Sequence, residues 1–231
     1  MTEEQWRTCA EPETMLRFLQ GKATDRKLRL FAVACCRRIW GLLDDERSRA
    51  AVETSERYSE GSASAAELHT AWTRAEEVPG AFWTAIQEGR ATLPNAPAQE
   101  AAAVAAERPL RAHRVASEAA TACVWAGRPV LEEMQATRAR ENRFQCDLLR
   151  DLFGNPFSPT AVSPAWLSWH AGTAVSHARS IYDRRRFTAL PRLAETLEAA
   201  GCTDADILGH CRSPGPHVRG CWAVDLLLGK Q

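Results

Sequence analysis

Residues 25–43, DRKLRLFAVACCRRIWGLL, settle the fold class. Thr24, just ahead of them, offers a hydroxyl that can take up a free amide at a helix start. The apolar residues Leu28, Phe31, Val33, Cys35, Ile39, Trp40 and Leu43 wrap more than one side of a 3.6-residue period. A helix apolar over so much of its circumference belongs at the centre of a helical core. On either side of this stretch the same period recurs. Glu11-Pro12-Glu13 opens a helix to about Leu19, with Pro12 in the first turn and Gly21 beyond the end. Asp44-Asp45 starts a helix ending near Gly61, and Ser64 starts another through Leu68 and Trp72. Pro79-Gly80 is expected to interrupt that helix before Phe82, Trp83 and Ile86, because proline lacks the amide donor a helix interior needs.

Residues 89–99, GRATLPNAPAQ, read as a linker, with two prolines, a glycine and little to bury. An alanine-rich helical segment follows from about Glu100 to Ala126, broken near Pro109 and ended by Gly127. Pro129 then starts a long helix to Phe153, capped by Gly154 and blocked by Asn155-Pro156. Residues 157–170 suggest an ordered loop with a short helix, and two further helices are expected at about 173–187 and 190–199. No run alternates apolar and polar residues between turn signals, so strands should be few or absent. The sequence predicts an all-α, irregular multi-helix bundle. It is expected to form a single helical domain over residues 1–231, with a soft boundary at 89–99 separating two helical subdomains.

Composition bounds the function. A chain of 231 residues with 45% hydrophobic and 25% charged residues can bury a sizeable core. The formal charge is zero, which argues against nucleic acid as a partner, because non-specific binding needs a strong basic field. Positive charge is almost all arginine, with Lys22, Lys27 and Lys230 the only lysines. The arginine fork suits carboxylate and phosphate, although a GC-rich genome that also favours alanine accounts for the same bias. The opening Met1-Thr2-Glu3-Glu4 is acidic and polar, and no apolar run approaches the ~18 residues that span a bilayer. A cytoplasmic location with no membrane partner is therefore expected. In that reducing compartment the eight cysteines should be buried thiols, metal ligands or reactive groups rather than disulfides.

Chemically versatile side chains are densest near the C-terminus, where three cysteines and two histidines fall within residues 201–221. Cys202, Cys211, His217 and Cys221 have the spacing C-x8-C-x5-H-x3-C, and thiolate and imidazole are the natural ligands of tetrahedral zinc. The intervals match those of CCCH-type zinc fingers with the last two ligand types exchanged. Thr203 and Asp206 predict a capping box on a short helix from about Asp204 to His210 or Cys211. A second helix is expected over about 217–228, on which the four-residue step would put His217 and Cys221 on one face. The competing reading makes Cys221 a small buried hydrophobe and leaves His217 to cap the helix or bond a carbonyl.

Other candidates are weaker. Cys35-Cys36 before Arg37-Arg38 could hold a thiol of lowered pKa or simply fill the core. His170 and His177 could supply a general base near Tyr182 or Asp183, yet no nucleophile stands at a recognisable spacing. Trp166, Trp169 and Trp222 could anchor an interface, and Arg184, Arg185 and Arg186 could meet an acidic partner or sit on a solvated helix end.

The phrases DRKLRLFAVACCRRIW, LLRDLFGNPF, PAWLSWHAGT and ADILGHCRSPGPHVRGCWAVDLLLGK resemble an uncharacterised protein family expanded in planctomycete bacteria. The resemblance implies a cytoplasmic bacterial protein and no mechanism. The sequence as a whole points first to a non-enzymatic helical interaction or regulatory module with an unknown protein partner, no catalytic residues and no cofactor. A zinc-binding protein or zinc-dependent enzyme built on Cys202, Cys211, His217 and Cys221 is the alternative, with His210 or Asp225 as proton carrier. Nucleic-acid binding through Arg184 to Arg186, Arg212 and Arg219 is the third reading.

Overall fold

The computed structural model describes residues 1–89, 95–126 and 131–230. Among the described residues the chain forms thirteen α-helices, three short 3-10 turns and no strand. In order they are α1 Glu3–Thr8, α2 Pro12–Leu19, α3 Asp25–Arg38, α4 Glu46–Ser59, α5 Ala65–Gln87, α6 Asn95–Ala105 and α7 Ala112–Ala126. Then come α8 Leu131–Phe153, α9 Pro164–Ser168, α10 Thr173–Arg184, α11 Leu190–Ala199, α12 Ala205–Arg212 and α13 Trp222–Leu228. The all-α expectation holds. The chain divides into two compact units, one of residues 1 and 8–146, the other of 2–7 and 147–231. The division falls within α8. Of the expected linker, 95–99 belong to α6, while residues 90–94 lie outside the described residues, as do the expected stop signal Gly127 and start signal Pro129.

In the first unit α3 packs on α4, α6 and α7, the central place its wrapped apolar surface predicts. The Thr24 hydroxyl accepts from the amide of Lys27, and Leu30, Phe31, Ala32, Val33, Cys35 and Cys36 are buried. Burial also raises the pKa of both thiols, Cys36 to about 12, so the arginines that follow do not make either one reactive. Arg29 is buried as well. Its guanidinium is held by Asp25 and donates to the carbonyls of Ala105 and Glu107, groups freed by the end of α6. The expected break at Pro79 does not occur. α5 runs through it because Ala75, Val78 and Pro79 are buried together, and that packing offsets the one backbone bond a proline removes.

In the second unit the core gathers Trp166, Ala174, Ala178, Ile181, Tyr182, Leu190, Leu193, Leu197, Ile207, Val224 and Leu227. α11 packs on α12, and α10 on α11 and α13. The indole Nε1–H of Trp6, which α1 carries into this unit, donates to the carbonyl of Gly154, just past the end of α8, at 2.9 Å. This helical framework sets the positions of four side chains with metal-binding chemistry.

Candidate metal centre

Asp151 comes from the last turn of α8. It stands three residues after Leu148, next to Leu152 on a stripe of fully buried leucines, and its own side chain is only 2% exposed. His210 comes from the last turn of α12, whose start is fixed by the Asp204 carboxylate accepting from the amides of Asp206 and Ile207 at 2.9 and 3.1 Å. Thus Asp204, rather than Thr203, caps this helix. Past α12 the chain turns through residues 213–220, and Gly215 passes so close to His217 that a Cβ there would lie 2.7 Å from the imidazole. Only glycine fits this position, which also has a φ of +78°. Cys221 then occupies the cap of α13. α13 starts at Trp222 rather than near His217, so His217 and Cys221 do not share a helix face; Gly220, at a φ of 92°, turns the chain between them.

One ligand atom from each of Asp151, His210, His217 and Cys221 lies within 4.8 Å of all the others. Asp151 Oδ1 is 2.7 Å from His217 Nδ1 and 3.2 Å from His210 Nε2. His210 Nε2 is 3.1 Å from the Cys221 sulfur. The donors are held from behind. The amide of Val218 donates to Asp151 Oδ2 at 2.9 Å, which keeps Oδ1 turned inward. His217 Nε2–H donates to the Ser213 carbonyl at 3.0 Å, leaving Nδ1 to face the cluster. A metal-bound histidine is typically oriented in this way, by its other nitrogen on a carbonyl.

The electrostatics follow. Burial alone would raise the Asp151 pKa, but hydrogen bonds and charge from His210 and His217 outweigh it and hold the carboxyl below its ordinary range. Burial likewise pulls His217 down, and the Asp151 carboxylate more than reverses that. Both nitrogens of His217 face acceptors, Asp151 Oδ1 and the Ser213 carbonyl, an arrangement that favours its protonated form. Burial, with the Asp151 charge adding to it, pushes the Cys221 thiol far up against the opposing effect of the Val224 and Ala223 amides.

Two chemical readings of this cluster can be compared. A Cys-His-Asp catalytic triad needs the carboxylate on one imidazole nitrogen and the thiol on the other. Here both Asp151 and Cys221 contact the same Nε2 of His210, and Cys221 is fully buried, so the triad geometry is absent. A metal centre fits. With bonds of about 2.0–2.3 Å, tetrahedral zinc sets its ligand atoms roughly 3.3–3.8 Å apart. The separations of 2.7, 3.1 and 3.2 Å would open by up to about 0.6 Å and the widest, within 4.8 Å, would close by about 1 Å to reach that spacing. One oxygen, two nitrogens and one sulfur suit zinc or cobalt and offer too little oxygen for calcium or magnesium.

Of the four residues the sequence singles out, His217 and Cys221 join the cluster. Cys202 and Cys211 do not; they are buried in the apolar core, and burial raises both thiols, Cys211 to about 12. Their places are taken by His210 and Asp151. His210, adjacent to Cys211, is the residue sequence spacing offers only as a proton carrier. Asp151 carries one legible signal, a charge on an otherwise apolar helix stripe. Asp225, the other suggested proton carrier, is buried in α13 and is not one of the four. Trp166 is buried in the core and so is not a surface anchor, whereas Trp169 is half-buried against the exposed His170, at 4.2 Å between ring centres. His177 bonds Thr196, and Arg184, Arg185 and Arg186 are exposed.

No protein-family model, curated protein or solved structure matches the chain. Among the described residues, no helix is long and apolar enough to cross a membrane.

Proposed function

We propose that the protein is a non-enzymatic helical module whose second unit binds one zinc ion through Asp151, His210, His217 and Cys221. The observation that carries this reading is the convergence of four donor atoms of zinc-binding type within 4.8 Å, two of them, on Asp151 and His217, held in place by backbone groups. Four protein donors complete a tetrahedron and leave no position for water or substrate, the mark of a structural rather than a catalytic zinc site. Charge balance supports the same reading. Zinc would displace the Nδ1 proton of His217 and the thiol proton of Cys221, leaving a dication against a thiolate and a carboxylate, with no net charge buried. Recognition of a partner is left to the outer face, on which Arg184, Arg185 and Arg186 stand exposed.

The test is elemental analysis of protein purified without added chelator, followed by zinc titration of the stripped protein. One zinc per chain is expected, together with a rise in thermal stability on reloading. Metal-free protein whose melting does not respond to zinc would overturn the reading.

A further inference from the structure

Neither Trp222 nor Gly154 offers a ligand atom, yet both stand behind one. The Trp222 ring lies 5.1 Å from that of His210, tilted by 52°, and His210 in turn meets His217 edge-on at 4.9 Å. Three rings therefore lean on one another in sequence. Gly154 packs directly on the tryptophan: a Cβ there would lie 3.0 Å from Trp222 Cδ2 and 3.1 Å from Cγ. Its φ of +62° also places it in the left-handed region that disfavours side chains. Gly154 is itself tied down, since its carbonyl accepts from the Trp6 indole at 2.9 Å and its amide donates to the Arg150 carbonyl at 2.9 Å.

The other three donors are oriented by backbone groups: Val218 holds Asp151, Ser213 holds His217, and Cys221 is placed by the turn into α13. For His210 the visible support is the tilted ring of Trp222. We infer that Trp222, backed by Gly154, is the positioning residue that sets the ring plane of His210 and thereby the affinity and geometry of the metal site. The inference rests on the zinc reading above and adds to it a determinant outside the donor set. Groups that orient a ligand from behind are worth about 10–100-fold in metal affinity.

The experiment uses the full chain with Trp222→Leu, Trp222→Phe and Gly154→Ala. Zinc affinity is read by competition with a chromophoric chelator, and geometry by the visible bands of the cobalt(II) form. Trp222→Leu and Gly154→Ala are expected to weaken zinc by about 10–100-fold and to alter the cobalt d–d bands. The near-ultraviolet sulfur-to-cobalt band should persist, because Cys221 is untouched. Trp222→Phe keeps an aromatic face and should recover most of the affinity. Unchanged affinity and bands in the leucine and alanine variants would overturn the positioning role while leaving the metal site intact. Loss of helicity in the metal-free variants would equally overturn it, by making Trp222 a core residue only. A wild-type chain that takes up neither ion would remove the zinc reading itself.

Discussion

Glu141 in the first unit and Asp151 in the second are both buried carboxylates near a cysteine, and the two are neutralised in different ways. In the first unit Glu141, 3% exposed, is paired with Arg38 at 3.3 Å and accepts from Gln145 at 3.2 Å, and its charge adds to burial in pushing the Cys123 thiol up to about 12. In the second, Asp151 is met by two imidazoles and a backbone amide. A guanidinium keeps its charge at any accessible pH and has no lone pair to offer a metal. Imidazole can give up its proton and present nitrogen instead. The same burial is thus met by a fixed cation in one unit and by imidazoles able to exchange their protons in the other.

The sharpest way to break this comparison is Asp151→Ala. It should abolish zinc-dependent stabilisation in calorimetry and, in stripped protein, cost about 1–3 kcal/mol by leaving the buried His217 and Val218 donors without their acceptor. Persistent zinc binding would show that the carboxylate is only a hydrogen-bond acceptor. Next comes Cys221→Ser, expected to weaken zinc by more than about 100-fold and to remove the sulfur-to-cobalt band, since losing a donor exceeds the loss of a supporting group. Cys211→Ser should leave zinc affinity unchanged and lower stability alone. If the two serine variants behaved alike, the donor set read from spacing would be right and the one read from geometry wrong.

Spacing failed at Cys202 and Cys211 for a physical reason. Sequence intervals record which donors are near along the chain, while convergence in space depends on the fold: Cys202, Cys211 and Cys221 are all buried in one apolar core, and of the three it is Cys221 that meets His210. Asp151, which supplies the oxygen, is 66 residues from His217 and invisible to any local pattern. The helical period of residues 25–43, by contrast, was enough to place α3 at the centre of its unit, because amphipathicity is a property of neighbours. Pro79 shows the converse, a correct local rule outweighed by packing contributed from elsewhere.

The dependence on pH separates the two states of the second unit. In stripped protein the raised His217 stabilises the fold fully below its ordinary 6.5 and loses that contribution as pH rises through its folded value. The lowered Asp151 contributes above its ordinary 3.8 and is lost as pH falls through its folded value. Metal-free melting temperatures should therefore show a contribution strongest between those limits. The zinc-dependent increment should instead climb with pH, because protons leave as the ion enters. An increment that does not vary between about pH 5 and 7 would contradict displacement of those protons.

The smallest effect is expected from the control. Arg38→Ala should lower stability by about 1–3 kcal/mol through the unpaired Glu141 and leave zinc affinity unaltered. A changed affinity would mean that the two carboxylate sites are not independent.

His210, His217 and Cys221 sit within one stretch of 12 residues, so an unfolded chain already possesses a three-donor chelate. The distant carboxylate is the donor that only the native topology can deliver. Any affinity of the ion for the disordered segment subtracts from what it contributes to folding. The thermodynamic benefit of loading is then governed by Asp151 closing the long loop, and a peptide spanning residues 204–228 would capture zinc without reproducing the stability it confers on the whole chain.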